Sequence, residues 1–471
     1  MPIRDSCGIF GAYSPNKDYK AAYAVYNGLV SLQHRGQDCC GICAQNGDKG
    51  GSLTVKTGLG LVSDVFGREK LDQMHGNVAI GHVRYPTMGS GDLKNAQPLF
   101  LSFKRNDFAF AFNGNIANYP ELRKKMMAKG MTFVTDSEME LIGMLYSIAL
   151  SKEDEIYAAS KEVMGQLDGA YSIIFLDADG NLYAVRDPQG FKPLVVGSDE
   201  KGNVFFSSES CALEAMGVKE FRDVKPGEVL KVSKEKGLHG RQVVEPKQIT
   251  HCMFEFLYFA RADSVIEGKL NNFIRKRLGE ALARMHPVEA DYVIPVPDSG
   301  RSFALGYSRA SGIPYEEGLM KNRYIFRTFI MPEQEMRERA VRSKLNPVKE
   351  LINGKRIILV EDSIVRSTTV KALVSMLRKA GAKEVHVRVG CPPVIAPCYM
   401  GMDFPTYSEL IAANYSVEEI RKRIGADSLG YTDLNALNEA IGLPGKLCMA
   451  CLTGKYPLKH QPKKGAEIKC C

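Results

Sequence analysis

Nothing in this chain of 471 residues reads as a membrane anchor. Its apolar runs all stop well short of the roughly 20 residues that a spanning helix needs. The N-terminus lacks the long apolar stretch of a secretory signal. Together these absences lead us to expect a cytoplasmic protein with no membrane partner. No Lys/Arg block dominates, and the net charge of +8 is modest for the length. Nucleic-acid binders more often carry a basic stripe, so no nucleic-acid partner is expected. An anionic small substrate fits the same balance. Internal repeats and low-complexity segments are also lacking. A disulfide framework is missing too, because a large cytosolic chain keeps its thiols reduced. The twelve cysteines therefore read as metal ligands, nucleophiles or core.

What is present is ordinary for a globular protein, with 45% hydrophobic and 25% charged residues. The length allows about two to four domains. The first 240 or so residues read as short strands punctuated by glycine, such as "FAFAFNG" and the Asp-Gly hairpin signal in "GAYSIIFLDADGNLYAVRDP". Helical patterns sit between them. Ala22, Val25, Leu29 and Leu32 share one face over 19–33, and 138–150 is apolar enough for a buried helix. That mixture predicts packed sheets covered by helices. From about 250 the rhythm changes. "DYVIPVP" and "RIILV" are continuous apolar strands, each followed by a polar turn and a helical pattern, at 301–311 and 369–380. Such units imply a parallel sheet with sites at its strand ends. The stretch "EKGLHGRQVVEPKQ" reads as a linker, and "PLKHQPKKGAEIKCC" as a disordered tail.

The opening "MPIRDSCGIFG" poses a choice. Cys7 is either a small core residue or, if Met1 to Ser6 is removed, a first residue carrying both a thiol and an α-amine. That amine, titrating near 7.7–8.0, could take the thiol proton. Arg84 in "GHVRYPT" suits an amino-acid carboxylate, since two N–H groups face two oxygens. Asn113 and Gly114 in "FNGNI" supply a side-chain amide and a backbone N–H, both common oxyanion donors. Asp136 in "TDSE" is a candidate for an α-ammonium, or otherwise a helix N-cap. These stretches, with "LQHRGQD", "RDPQGFKPL" and "SSES", resemble the N-terminal-nucleophile glutamine amidotransferases over 7 to about 240. The resemblance implies a four-layer αββα fold. It implies that Cys7 attacks the glutamine amide, Asn113 and Gly114 hold the oxyanion, and Arg84 and Asp136 grip the amino-acid end.

In the second half, "RIILVEDSIVRSTTVKALVSML" delivers Glu361 and Asp362 from a strand into a hydroxyl-rich loop, then a helix. Backbone N–H groups at such a helix start can cradle a phosphate. The acids could bind ribose hydroxyls or a Mg²⁺ that also holds pyrophosphate. By shape alone, an acidic turn before a capped helix fits as well. "VEDSIVRSTT" resembles the phosphoribosylpyrophosphate motif of type I phosphoribosyltransferases, which implies roles for Asp362, Ser363, Ser367, Thr368 and Thr369. Glu361 stands where most glutamine-linked members have Asp, and Ser367 where glycine is common. "PVPDSGRS" resembles the pyrophosphate-side loop and puts Ser299 near the metal with Glu361 and Asp362. "KNRYIFRTFI" resembles a lid, with Lys321, Arg323 and Arg327 closing over substrate; Arg337, Arg339, Arg342 and Lys344 read equally as a solvated helix face.

Both halves together resemble the amidophosphoribosyltransferase family. This implies domains at 7–245 and 250–445, a propeptide at 1–6, and a C-terminal segment at 446–471. It implies glutamine and phosphoribosylpyrophosphate as substrates, Mg²⁺, purine nucleotide inhibitors and a homotetramer. "CMAC" supplies Cys448 and Cys451, joined by Cys252 in "HCMFEF" and Cys398 in "APCYMG". Spacing alone leaves zinc and an iron–sulfur cluster open. The propeptide-bearing subgroup carries a [4Fe–4S] cluster at these four positions, and the resemblance implies one here. Cys39, Cys40, Cys43 and Cys211 read as core, while Cys391, Cys470 and Cys471 suggest no role. A non-catalytic paralogue that only binds phosphoribosylpyrophosphate or nucleotides is the alternative of a different class.

Overall fold

The structure, a computed structural model, describes residues 7–47, 50–84, 93–103, 107–153, 155–322, 345–402 and 406–459. Among these residues, the first half forms two antiparallel sheets lying face to face. The seven-stranded sheet has Gly8–Tyr13 at its centre, between Val204–Ser207 and Val78–Arg84. The six-stranded sheet has Gly169–Asp177 and Leu182–Arg186 at its centre, with Asp107–Ile116 beside them.

Period-two alternation builds the layers. In "FAFAF", Ala109 and Ala111 point between the sheets and meet Ile9, Ile80 and Ile174. Phe108, Phe110 and Phe112 point outward, under helices Glu138–Lys152 and Ile156–Gln166. Helix Ala21–Ser31 covers the outer face of the other sheet. Its Val25 and Leu29 are fully buried, each worth about 1.5–3 kcal/mol. The result is the helix–sheet–sheet–helix stack expected from the sequence.

Two expectations need correction. Gly237–Gln242, inside the expected linker, is an edge strand paired with Glu228–Ser233. It is mostly exposed and lacks apolar alternation, so backbone pairing alone makes it a strand. The expected disordered tail begins on ordered residues. The Gln189 side chain donates to Pro457 O at 2.9 Å, and Lys459 N donates to Asp168 at 3.2 Å. Residues 460–471, with Cys470 and Cys471, lie outside the described residues.

The second half centres on four parallel strands in the order Tyr292–Pro295, Arg356–Glu361, Glu384–Val389, Ser428–Tyr431. Helices Asn271–Met285 and Arg301–Ser311 cross at glycine. A Cβ on Gly279 would lie 1.9 Å from Phe303 O, and one on Gly306 would lie 2.0 Å from Lys276 O. No helix among the described residues is long and apolar enough to cross a membrane.

Candidate active sites

The first site gathers at one end of the two facing sheets. Gly8 pairs with Val83, so Cys7 continues that register beside Arg84, and Cys39 pairs with Arg84 on its other side. His82 Nε2 donates to Phe112 O at 3.1 Å, which ties this edge to the start of "NGN" in the facing sheet. Cys7 is half-buried. Asn113 is 1% exposed, and its Nδ2 donor has no hydrogen-bond partner among the described residues. A buried unpaired amide donor costs roughly 1–3 kcal/mol, so its retention points to an acceptor that arrives with substrate. Gly114 has φ +155°, and a Cβ there would sit 2.0 Å from Ala170 O, so only glycine permits this strand pairing.

Asp136 is partly exposed and faces Arg123 Nη2 at 3.7 Å and Lys94 Nζ at 3.9 Å. It is not the N-cap of helix Glu138–Lys152; Ser137 is, accepting from Met139 N. The sequence reading passed over Glu138. Its carboxylate accepts from Ile116 N at 2.5 Å and feels the Arg84 charge. Burial pushes its pKa up to about 8 despite both, so it is largely protonated at neutral pH. The acid stood in the quoted "TDSE", but burial cannot be read from a motif.

The quoted "LQHRGQD" and "SSES" prove to be one buried ion network. Arg35 is fully buried; its Nε donates to Cys7 O at 3.0 Å. Its Nη1 reaches Glu209 at 2.6 Å and Glu255 at 3.0 Å. Burial would raise Glu209, but His34 and Arg35 hold it well below the usual carboxylate range. Glu255 belongs to the second half, so the network joins the two halves behind Cys7.

The second site lies where strands Tyr292–Pro295 and Arg356–Glu361 end side by side, with Pro295 opposite Val360. The loops that follow are in contact. Ser299 and Ser363 hydroxyls both donate to the Asp362 carboxylate. Glu361 and Asp362 are buried, and burial raises both; the neighbouring Asp362 charge pushes Glu361 further up. Arg275 is a cation that Asp362 feels. Lys321 Nζ reaches Asp298 Oδ2 at 2.6 Å, which brings that residue onto the pyrophosphate-side loop. Arg323, Arg327, Arg337, Arg339, Arg342 and Lys344 lie outside the described residues.

Ser367 sits at φ +60°, ψ −16°, the left-handed conformation that glycine favours, and makes no side-chain cap bond. The loop thus keeps a glycine-like path at a serine, and opens helix Thr368–Lys379 with Thr368 and Thr369 at its first turn. That conformation costs a non-glycine residue roughly 1–2 kcal/mol. Glycine's extra chain entropy returns roughly 0.5–1 kcal/mol. Ser367→Gly is therefore expected to stabilise the fold by about 0.5 kcal/mol, read as a small rise in Tm; a fall would refute the strain.

Cys252, Cys398, Cys448 and Cys451 come together. Cys252 and Cys448 are register partners in short parallel strands. All four are buried, and each of the other three acts electrostatically on Cys451. Met400 N donates to Cys398 Sγ at 3.3 Å, and Phe254 and Ala450 N–H groups serve Cys252 and Cys448 in the same i+2 manner. The Lys192 ammonium, fully buried, faces three of the thiols. Burial pushes all four thiols up, while the backbone donors and the Lys192 cation act the other way on three of them, as bound thiolates require. Among the described residues, no three His, Cys, Asp or Glu side chains are grouped to hold a single metal ion. Cys39, Cys40, Cys43 and Cys211 are buried core residues, as expected; Cys391 is also buried, beneath Asp362.

Fold and sites define a glutamine amidotransferase joined to a type I phosphoribosyltransferase. A model of the glutamine amidotransferase domain matches residues 87–215. The chain is 49% identical to an amidophosphoribosyltransferase of Pyrococcus horikoshii over 455 residues, covering 97% of each chain. It is 47% identical to that of Methanothermobacter thermautotrophicus over 457 residues, covering 97% of this chain and 95% of the other. A solved glutamine phosphoribosylpyrophosphate amidotransferase from B. subtilis, complexed with ADP and GMP, matches with TM-score 0.88 and 40% identity, covering 98% of this chain and 99% of that one. The chain belongs to the amidophosphoribosyltransferase family.

Proposed function

We propose that this enzyme converts glutamine, phosphoribosylpyrophosphate and water to 5-phosphoribosylamine, glutamate and pyrophosphate, the first committed step of de novo purine synthesis. The observation that carries the reading is the buried, unpartnered Asn113 amide at the edge that also holds Cys7 and Arg84. A non-catalytic paralogue has no use for that uncompensated donor.

Cys7 Sγ attacks the glutamine amide carbon, and the α-amine exposed by loss of residues 1–6 takes the thiol proton. The tetrahedral oxyanion accepts from Asn113 Nδ2 and Gly114 N. The proton returns to the leaving nitrogen, ammonia departs, and water hydrolyses the γ-glutamyl thioester to glutamate. Arg84 and Asp136 hold the amino-acid end. Ammonia passes internally to the ribose C1 and displaces pyrophosphate. Coupling both sites on one chain protects phosphoribosylamine, which is unstable in water. Lys321 sits by the leaving pyrophosphate, and Ser363, Ser367, Thr368 and Thr369 cradle the 5-phosphate.

Glu361, Asp362 and Ser299 would hold Mg²⁺, which supplies charge neutralisation on the pyrophosphate. Two carboxylates with substrate oxygens completing the shell suit that ion. The four cysteines would hold a [4Fe–4S] cluster, with a structural role far in sequence from both chemistries. What supports a metal-bound quartet is the convergence of four buried cysteines with backbone N–H donors and the Lys192 ammonium. A homotetramer, inhibition by purine nucleotides at the phosphoribosyl site and a cytoplasmic location complete the reading.

The test is the intact mass of anaerobically purified protein, native and then denatured. The expected chain begins at Cys7 and carries a mass excess that is lost on denaturation, with brown colour. A chain retaining residues 1–6 would remove the α-amine base. Colourless protein with stoichiometric zinc would overturn the cluster.

A further inference from the structure

The strand that presents the oxyanion donors is propped from the other domain. Strand Leu99–Ser102 flanks Asp107–Ile116 only as far as Phe110. Beyond that point, separate groups serve the open edge. Phe112 N donates to Gln97 Oε1 at 2.8 Å and Ile116 N to Glu138 Oε1 at 2.5 Å. Between them, Asn115 Nδ2 donates to Tyr399 O at 2.9 Å, a contact spanning 284 residues. Gly401 closes on the same spot with φ +90°; a Cβ there would lie 3.3 Å from Gly114 C and O and 3.5 Å from Asn115 Cβ. The 399–401 segment is itself braced. Tyr399 stacks edge-on against Tyr456 at 4.9 Å, and Tyr456 Oη donates to Pro397 O at 2.7 Å.

We infer that Asn115 and Gly401 are positioning residues for the glutaminase reaction: the Tyr399–Gly401 segment of the phosphoribosyltransferase domain sets where Asn113 Nδ2 and Gly114 N meet the oxyanion. The inference rests on the glutaminase reading above. Its physical basis is that, among the described residues, both donors are paired with strand Gly169–Asp177 on one edge but have no strand beside them on the other. Among the described residues Asn113 Nδ2 has no hydrogen-bond partner, so its direction follows the backbone beneath it. That backbone carries the Asn115 tether two residues on and the Gly401 contact one residue on. The Asn115 amide is engaged by Tyr399 O and Gly401 has no side chain, so both act through Asn113 and Gly114.

The test compares Asn115→Ala and Gly401→Ala with wild-type enzyme, in glutamine-driven and ammonia-driven synthesis. A small misplacement of catalytic groups is expected to lower the glutamine-driven kcat roughly tenfold, with KM for glutamine nearly unchanged. Inhibition by glutamate γ-semialdehyde, which forms a tetrahedral adduct on Cys7, should weaken by the same factor. Ammonia-driven synthesis should be unchanged. Gly401→Ala approaches from the other domain, so it decides the matter if Asn115→Ala does not fold. Wild-type kcat and wild-type aldehyde inhibition would overturn the inference. So would parallel loss of glutamine- and ammonia-driven rates, which marks general damage. Cys7→Ala separates the two levels. If it retains glutamine use, the glutaminase reading fails; if it is inactive while both positioning variants behave as wild type, only this inference fails.

Discussion

Cys7→Ala is expected to abolish glutamine-driven synthesis and leave ammonia-driven synthesis intact. Loss of a covalent nucleophile removes the reaction path itself, a fall on the order of 10⁴-fold or more. The donors Asn113 and Gly114 remain, but they have no tetrahedral adduct to stabilise. Exogenous ammonia bypasses the whole first half. The phosphoribosyl loops sit on a parallel sheet with its own core of Ile294, Leu359, Leu373 and Val387. Cys7 itself is half-buried at a strand start, so truncating it leaves that core untouched. Steady-state rates with glutamine and with ammonium at equal phosphoribosylpyrophosphate decide the matter. Loss of both activities would sink the two-site mechanism.

Asp362→Asn is expected to lower both glutamine- and ammonia-driven synthesis by roughly 10²–10³-fold, the scale of losing one strong electrostatic contact at a reacting centre. Both Ser299 and Ser363 direct hydroxyls at this carboxylate, so its loss loosens both loops around the pyrophosphate. The Mg²⁺ concentration for half-maximal rate should rise. Stability should not fall. Burial raises Asp362 and Glu361, and Asp362 raises Glu361 further. A carboxyl with a raised folded-state pKa binds its proton more tightly when folded. It therefore loses stability as pH climbs past the unfolded value, and the pair destabilises the native state at neutral pH. Removing one member relieves the other. The combined signature is a large kinetic loss with Tm unchanged or higher at pH 7–8. Retained ammonia-driven activity would refute the assigned role, and a marked drop in Tm would refute the electrostatic account.

Much of this protein was legible before its structure. The strand-and-glycine rhythm of the first half, the "FAFAF" alternation and the continuous apolar runs after 290 led to both architectures, because burial on one face or two leaves different periods in a sequence. What misled was the edge strand Gly237–Gln242, whose pairing leaves no hydrophobic trace, and the docked Pro457–Lys459, where a single apolar residue, Leu458, enters the core amid polar sequence and hydrogen bonds to Gln189 and Asp168 hold the backbone. The motifs named the candidate residues Cys7, Arg84, Asn113, Gly114, Asp136, Glu361 and Asp362, since each is a chemical type that its role requires.

The amino-acid order by itself determined which groups exist and which elements carry them: a thiol before a buried strand, an amide and a glycine at a strand end, two acids ahead of a helix, four cysteines in three segments. Only the tertiary structure decided what those groups face. The Asn113 amide is orphaned because, among the described residues, the packed sheets bury it and offer no acceptor. The Glu138 carboxyl is pushed up to about 8 because the same packing removes its solvent. Arg35 is charged and fully buried because Glu209 and Glu255 reach it from positions 174 and 220 residues away. Ser367 takes a left-handed turn where the loop after strand Arg356–Glu361 enters helix Thr368–Lys379. Periodicity records which side of an element is buried. It carries no record of the partner that arrives from hundreds of residues away, and in this enzyme that partner sets charge, strain and alignment at the site.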